Sequence, residues 1–355
     1  MKKNKKEISP FGLMLRALLA MAIVLALGML IIFSGELRTM ATIERVGEED
    51  FFTMEYKGDY GLSEFLETGA SSDKELVDFI VSRLLHGVPL EFDLPDLGCS
   101  TFAGILTDGT PVFGRNFDMY DSPAMLLTTR PKDGYASISM VNLAYIGYSA
   151  EYLPTDFGSS ILALAAPYTP LDGVNEKGLS VGVLLIDTEP TNQQTDKIDI
   201  TTTSAIRLLL DRAATVNEAI ALLEQYDMHS SANSCYHFQI ADAQGASAVV
   251  EYVDNKMSVI ESRMATNFLL TPGEYDFGAG QDRFKTLTDA FIENGGVFES
   301  EEEAMELLAA VSQMPKEGKR STTQWSCVYN QSMASVQVAL DMNWDTVYEF
   351  SLSKQ

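Results

Sequence analysis

Positive charge is scarce in this 355-residue chain, where 25 lysines and arginines stand against 50 aspartates and glutamates and leave a net charge of −25. Such acidity excludes nucleic acid as a partner, because phosphate backbones are bound through basic stripes, and it reads as a well-solvated surface. Cysteine and histidine are scarce as well, three of each. His86, His229 and His237 make no zinc-like spacing with Cys99, Cys235 or Cys327. There is no Walker-type loop, no Gly-x-Gly-x-x-Gly ahead of a helix, no internal repeat and no low-complexity tract. Neither a metal nor any other cofactor is therefore expected. With an odd number of cysteines at least one thiol stays free; Cys99 is the choice, and Cys235 and Cys327 read as buried thiols in strands, with a disulfide between them as the alternative.

Long hydrophobic runs are absent but for one. Lys2, Lys3, Lys5, Lys6 and Arg16 precede an uncharged apolar run from Ala17 to Phe33, extended to residue 35 by Ser34 and Gly35. That length just meets a bilayer span and exceeds the roughly 7–15 apolar residues of a cleavable signal. The basic flank predicts a single-pass anchor through residues 17–35, with the N-terminus in the cytoplasm and the remainder of the chain outside it. Secretion after signal cleavage is the alternative, although Thr39-Met40-Ala41 makes a poor cleavage site. Residues 1–40 are thus the flank and anchor.

Residues 41–98 form an acidic segment. Ser72 and Glu75 have capping-box spacing, and Leu76, Phe79, Ile80 and Leu84 follow on one helical face until Gly87 and Pro89 end the run. This amphipathic helix is expected to cover part of the domain that begins at Cys99, as a pro-segment or small N-terminal subunit.

From Cys99 the chain changes character. Asp108-Gly109 is a two-residue hairpin turn signal between two apolar runs, so the strand beginning at Cys99 folds back on the strand carrying Phe113, Arg115 and Phe117. The fold-back returns Arg115 and Asp118 towards Cys99. An ionised guanidinium beside a thiol favours the thiolate, and a nearby carboxylate can orient an amine or water. Strands are predicted at 100–106, 111–117, 179–187, 235–241, 246–253 and 334–340. Helices are predicted near 204–213, 216–226, 283–293 and 301–312, the second and fourth behind capping boxes at Thr215/Glu218 and Ser300/Glu303. The pattern is α+β, with packed sheets covered by helices.

The segment from Cys99 to Gly114-Arg115-Asn116-Phe117-Asp118 resembles the start of the mature chain in the N-terminal-nucleophile amide hydrolases: choloylglycine (bile salt) hydrolase, penicillin V acylase, and the acid ceramidase and N-acylethanolamine acid amidase group. Further resemblances come in order along the chain: Asn175-Glu176-Lys177-Gly178-Leu179, His237–Asp242 with Ala248–Tyr252, Ala265-Thr266-Asn267, Asp282-Arg283-Phe284 and Thr323–Asn330. The chain departs from the Cys-Thr of many relatives in having Cys99-Ser100-Thr101. The resemblance implies a four-layer αββα sandwich over 99–355 and a linear amide C–N hydrolase acting on small N-acyl amides. It also implies a site in which Cys99 is the nucleophile, Asp118 orients its amine, Arg115 and Arg283 stabilise charge near the thiolate, and Asn175 and Asn267 hold the oxyanion. Such chemistry requires cleavage of Gly98-Cys99, with Asp93 and Asp96 near enough in sequence to assist. An acyltransferase using the same acyl-enzyme and a catalytically inactive tethered binding protein are the alternatives. Met119, Tyr120, Met125, Leu126, Tyr145, Tyr148 and Tyr168 would suit an acyl pocket if they do not build core. Assembly, as monomer or homo-oligomer, is left open.

Overall fold

The computed structural model describes residues 33–92, 98–315 and 321–353, together with positions 11, 14, 16–21, 23 and 24. One sheet has nine strands, in the spatial order Glu44–Arg45, Phe51–Tyr56, Ala124–Thr129, Ser137–Asn142, Pro170–Asn175, Ser180–Ile186, Cys235–Ala241, Ser247–Val253 and Lys256–Glu261. A second has seven: Met264–Ala265, Gly98–Leu106, Pro111–Met119, Thr322–Asn330, Ser335–Leu340 and Asn343–Ser351 in order, with Val297–Phe298 also paired to Gly98–Leu106.

The sheets face each other across apolar strands, many of them buried on both sides, as in Pro111–Met119, where every residue is buried. They approach closely at Gly182, where an added Cβ would lie 3.1 Å from Thr101 Cγ2 and 3.4 Å from the Phe113 ring. Thr101 also donates across the gap to Gln239 Oε1. The helices Thr202–Arg212 and Val216–Leu223 cover the nine-stranded sheet, and Gln281–Asn294 and Glu301–Ala310 cover the seven-stranded one. The order helix, sheet, sheet, helix is the layering that the family resemblance implies.

The capping residues behave as their spacing predicts. Ser72, Thr215 and Ser300 accept from the backbone N–H of Glu75, Glu218 and Glu303. Each glutamate in turn accepts from the N–H one residue before its cap, at Ser71, Ala214 and Glu299, which satisfies a further donor at each helix entry. The run expected to be helical to 226 stops at Leu223, because Tyr226–His229 leaves to pair in parallel with Ile198–Thr201.

The segment 41–98 does more than cover. Its Asp73–Arg83 helix buries Leu76 and Ile80, and Phe79 packs edge-on against Phe65 and Tyr168, so its stripe faces the sandwich. In addition, Phe51–Tyr56 enters the nine-stranded sheet parallel to Ala124–Thr129, and Tyr60 donates to Asp211 at 2.6 Å. The segment is therefore part of the same core. Much of the apolar run 17–33 lies outside the described residues, as do Asp93 and Asp96. Among the described residues no helix is long and apolar enough to cross a membrane, while Leu18, Leu19, Met21, Ile23 and Val24 are helical and exposed.

Candidate active site

The hairpin register builds the site. Gly109 takes a φ of 88° in the turn, and Thr110 N–H donates to Asp108 Oδ1 at 2.9 Å. Pairing then sets Thr101 opposite Arg115, Cys99 opposite Phe117 and Gly98 opposite Asp118. Because side chains alternate along a strand, Cys99, Thr101, Arg115 and Phe117 point between the sheets, while Ser100, Asn116 and Asp118 point to the helical layer. Asn116 accordingly donates to Leu308 O at 2.7 Å, in the Glu301–Ala310 helix, and has a structural part.

The two arginines reach Cys99 from opposite faces. Arg283, in the first turn of the Gln281–Asn294 helix, donates through Nη1 to the Cys99 carbonyl at 2.6 Å, to Ser100 Oγ at 2.7 Å and to Asp118 Oδ2 at 3.0 Å. Its Nη2 donates to Asn267 Oδ1 at 2.8 Å. That same oxygen accepts from the Cys99 backbone nitrogen at 2.7 Å. Ser100, the residue that departs from the family pattern, thus uses its hydroxyl in the network. From the other side comes Arg115, completely buried, whose Nε donates to Asp172 Oδ2 at 3.3 Å. Its Nη1 and Nη2 are buried beside the Cys99 thiol, with no oxygen or nitrogen acceptor of their own.

Burial dominates the electrostatics. It pushes the Cys99 thiol up from its ordinary value, against the pull of Arg115 and, more weakly, Arg283; Asp118 adds to the rise. The thiol therefore needs a base. Burial also raises Asp118, opposed by Arg283, by a 2.6 Å bond from Thr323 Oγ1 and by Arg115.

The sequence-derived set divides. Cys99, Arg115, Asp118, Asn267 and Arg283 converge. Asn175 does not enter this network, and its assignment to the oxyanion is corrected. Its Nδ2 gives both hydrogens away, to Leu210 O at 3.0 Å and Ala213 O at 2.7 Å. Its Oδ1 accepts from Lys177 N and Leu179 N. It staples a turn to the end of the Thr202–Arg212 helix and has no hydrogen left for a substrate.

Several residues in the site were not among the sequence-derived candidates. Asp172 accepts from Arg115, from Trp325 Nε1 at 3.2 Å and from the Tyr329 hydroxyl; a lone aspartate inside the apolar strand Pro170–Asn175 was its only mark. His237 Nε2 bonds Thr266 O at 2.7 Å and Nδ1 bonds Glu251 Oε1 at 3.0 Å, which fixes the residue before Asn267. Of the residues offered for an acyl pocket, Met119, Met125, Leu126, Tyr145, Tyr148 and Tyr168 are buried in the core and Tyr120 is exposed. Cys235 and Cys327 are free buried thiols, as their strand positions suggest, and among the described residues no carboxylate, cysteine or histidine group is arranged to hold a metal.

Comparison with known proteins gives four concordant matches. The sequence model of the linear amide C–N hydrolases, choloylglycine hydrolase family, matches residues 99–276. A penicillin V acylase from Pectobacterium atrosepticum is 32% identical over 103 residues, 26% of this chain and 27% of that protein, so the match spans about a quarter of this relative's length. Among solved structures, a variant of the conjugated bile acid hydrolase from Clostridium perfringens superposes with a TM-score of 0.55 at 19% identity, covering 72% of this chain and 93% of that one. Penicillin V acylase from Agrobacterium tumefaciens does so with a TM-score of 0.50 at 17% identity, covering 72% and 87%. At these identities the two structures show a common fold.

Proposed function

The chain belongs to the choloylglycine hydrolase family of linear amide C–N hydrolases, and from that premise we propose that it hydrolyses the amide bond of small N-acyl compounds with Cys99 as nucleophile. One observation carries the reading: the Cys99 nitrogen is held 2.7 Å from Asn267 Oδ1, in a residue flanked by Arg115 and Arg283. Once the Gly98-Cys99 bond is cut, that nitrogen becomes an α-amine in the same position. Its unperturbed pKa of about 7.7–8.0 suits it to take the thiol proton near neutrality. Sulfur then attacks the carbonyl carbon; the S–C bond forms, the C–N bond breaks, and the ammonium returns its proton to the leaving nitrogen. Water attacks the thioester in the second half of the cycle, with the same amine as base, and regenerates the thiol. Asn267 and Asp118 hold the amine, and the guanidinium groups favour the thiolate against its burial.

The anchor belongs to the proposal. The basic flank ahead of the run 17–33 supports an uncleaved span with the catalytic part outside the cytoplasm. Conjugated bile acids, penicillins and lipid amides are the substrate classes to try first.

The test is intact-mass spectrometry of purified full-length protein exposed to a panel of N-acyl amides. We expect the mass of the chain beginning at Cys99 to rise by one acyl group with turnover, and Cys99→Ala to stay unprocessed and inactive. Hydrolysis retained by Cys99→Ala, with contaminating activity excluded, would overturn the assignment.

A further inference from the structure

Asn175 is spent on Leu210 and Ala213, and Asn267 Nδ2 gives one of its two hydrogens to Leu185 O at 2.9 Å, so the oxyanion produced by attack of Cys99 has at most one amide hydrogen of Asn267 and room for a second donor. Tyr145 meets the requirements. It lies in the 3-10 turn Leu143–Ile146, which Asn142 caps by accepting from Ala144 N at 2.8 Å. Asn142 Nδ2 in turn bonds Met119 Sδ and Ser122 Oγ, in the chain that continues directly from Asp118. Leu143 N–H adds a bond to Pro123 O at 2.9 Å. The turn is thereby fixed against the end of the strand that carries Arg115 and Asp118.

Tyr145 is completely buried, yet its hydroxyl has no hydrogen-bond partner. The ionisable groups that act on it across the interior are Tyr236, Cys99, Arg115 and Tyr120. Arg115 turns Nη1 and Nη2, which no oxygen or nitrogen takes up, towards the Cys99 thiol. A buried hydroxyl left unpaired costs about 1–3 kcal/mol, and proteins retain few of them. An unpaired buried phenol in the electrostatic surroundings of the nucleophile and its arginine is a donor that a substrate oxygen would complete.

We propose that the Tyr145 hydroxyl is a catalytic donor of this site, hydrogen-bonding the carbonyl oxygen of the scissile amide as Cys99 attacks. The proton stays on the phenol throughout. The donor stabilises the negative charge that accumulates on oxygen while the S–C bond forms, and its bond weakens again as the C–N bond breaks. The proposal rests on the hydrolase reading, with Cys99 as nucleophile.

The experiment compares Tyr145→Phe with Tyr252→Phe in the processed full-length protein. Tyr252 is a useful reference, because its hydroxyl is equally buried and unpaired but burial alone perturbs it, with no charged group of the site near it. Tyr145→Phe should lower the acylation rate constant roughly 10²–10³-fold, the usual loss for one oxyanion donor, with KM nearly unchanged. Its melting temperature should equal or exceed that of the wild type, since an unpaired buried group has been removed, an effect that a merely structural tyrosine would reverse. Tyr252→Phe should acylate at the wild-type rate. Should Tyr145→Phe fail to fold, 3-fluorotyrosine at position 145, a stronger donor of the same shape, should acylate at least as fast as tyrosine; a slower rate would count against the proposal. Acylation by a folded Tyr145→Phe within about twofold of wild type would overturn the role of Tyr145 and leave the hydrolase reading standing. A wild type that no amide acylates would overturn both.

Discussion

Asp172 holds Arg115 by a 3.3 Å ion pair in which both side chains are completely buried. The carboxylate takes Nε, which leaves the Nη1 and Nη2 ends of the guanidinium beside the Cys99 thiol. Trp325 and Tyr329 donate to the same carboxylate, so its position is fixed by two residues of the Thr322–Asn330 strand. Orientation of the charge at the nucleophile is thus set one residue away from it.

Asp172→Asn tests that arrangement. Breaking a buried ion pair by removing one partner costs about 3–5 kcal/mol, because the other charge is left uncompensated. A guanidinium displaced by about 1 Å would slow acylation on the order of 10²-fold. Chemical denaturation and single-turnover acylation check the two effects separately. Unchanged acylation in a destabilised variant would mean that Arg115 needs no orientation by Asp172.

Gly98→Ala should slow processing of the Gly98-Cys99 bond. A Cβ at this position would lie 3.0 Å from Asp118 Cβ, Asp118 Oδ2 and Gln313 Oε1. Asp118 cannot give way freely, since Arg283 holds Oδ2 and Thr323 holds Oδ1. Moving it disturbs a carboxylate packed against the bond to be cut, and each 1.36 kcal/mol added to that barrier is a tenfold loss. We expect processing slower by about tenfold or more in a time course followed by N-terminal sequencing. Wild-type processing of the alanine variant would show that the close approach of Asp118 is not required.

Local signals were legible and long-range ones were not. Asp108-Gly109 fixes a turn, the turn fixes a register, and the register carries Arg115 and Asp118 back to Cys99; each step spans a few residues. The three capping boxes were readable for the same reason. Asp172 and Thr323 reach the site from distant strands, and nothing near them in sequence says what they face. Phe51–Tyr56 was missed because its only long partner, Ala124–Thr129, lies beyond the nucleophile. Asn175 was misassigned because a turn-forming asparagine and an oxyanion donor look alike until the destination of the amide hydrogens is known.

Glu251 should make stability fall in acid. Burial pushes its carboxyl up, but the bonds and charge of His237, the N–H of Leu270 and Thr271 outweigh burial and hold it below its ordinary 4.5. A carboxyl lowered by folding contributes stability that is fully present above the unfolded value and is lost as pH falls through the folded one. Glu251→Gln should therefore cost about 2 kcal/mol at pH 7, and the gap to wild type should close below about pH 4.5. Thermal melts across pH check it. A gap independent of pH would mean that packing, and not charge, sets the contribution. Because Glu251 and His237 together fix Thr266 and the 270–271 backbone, the same variant should also slow acylation through Asn267.

Asp341 should behave in the opposite sense. Partial burial, then Asp121, Glu49 and Asp50, raise its carboxyl from 3.8 to about 6. Folding therefore favours the protonated form, and stability is lost as pH rises from about 4 to about 6. At pH 7 the ionised group is crowded by like charge in a cleft of roughly 350 Å³ whose lining includes Glu48, Asp50 and Asp121. Asp341→Asn removes that repulsion without backbone strain, since φ is 49° and asparagine adopts left-handed conformations readily. The residue keeps access to solvent despite its partial burial, so screening limits the gain to about 0.5 kcal/mol, a rise in melting temperature of roughly 1–2 °C at pH 7. Below the unfolded value of 3.8 both side chains are neutral and the two melting temperatures should coincide. A variant less stable than wild type at pH 7 would mean that the Asp341 carboxylate makes a favourable contact that outweighs the repulsion from Asp121, Glu49 and Asp50.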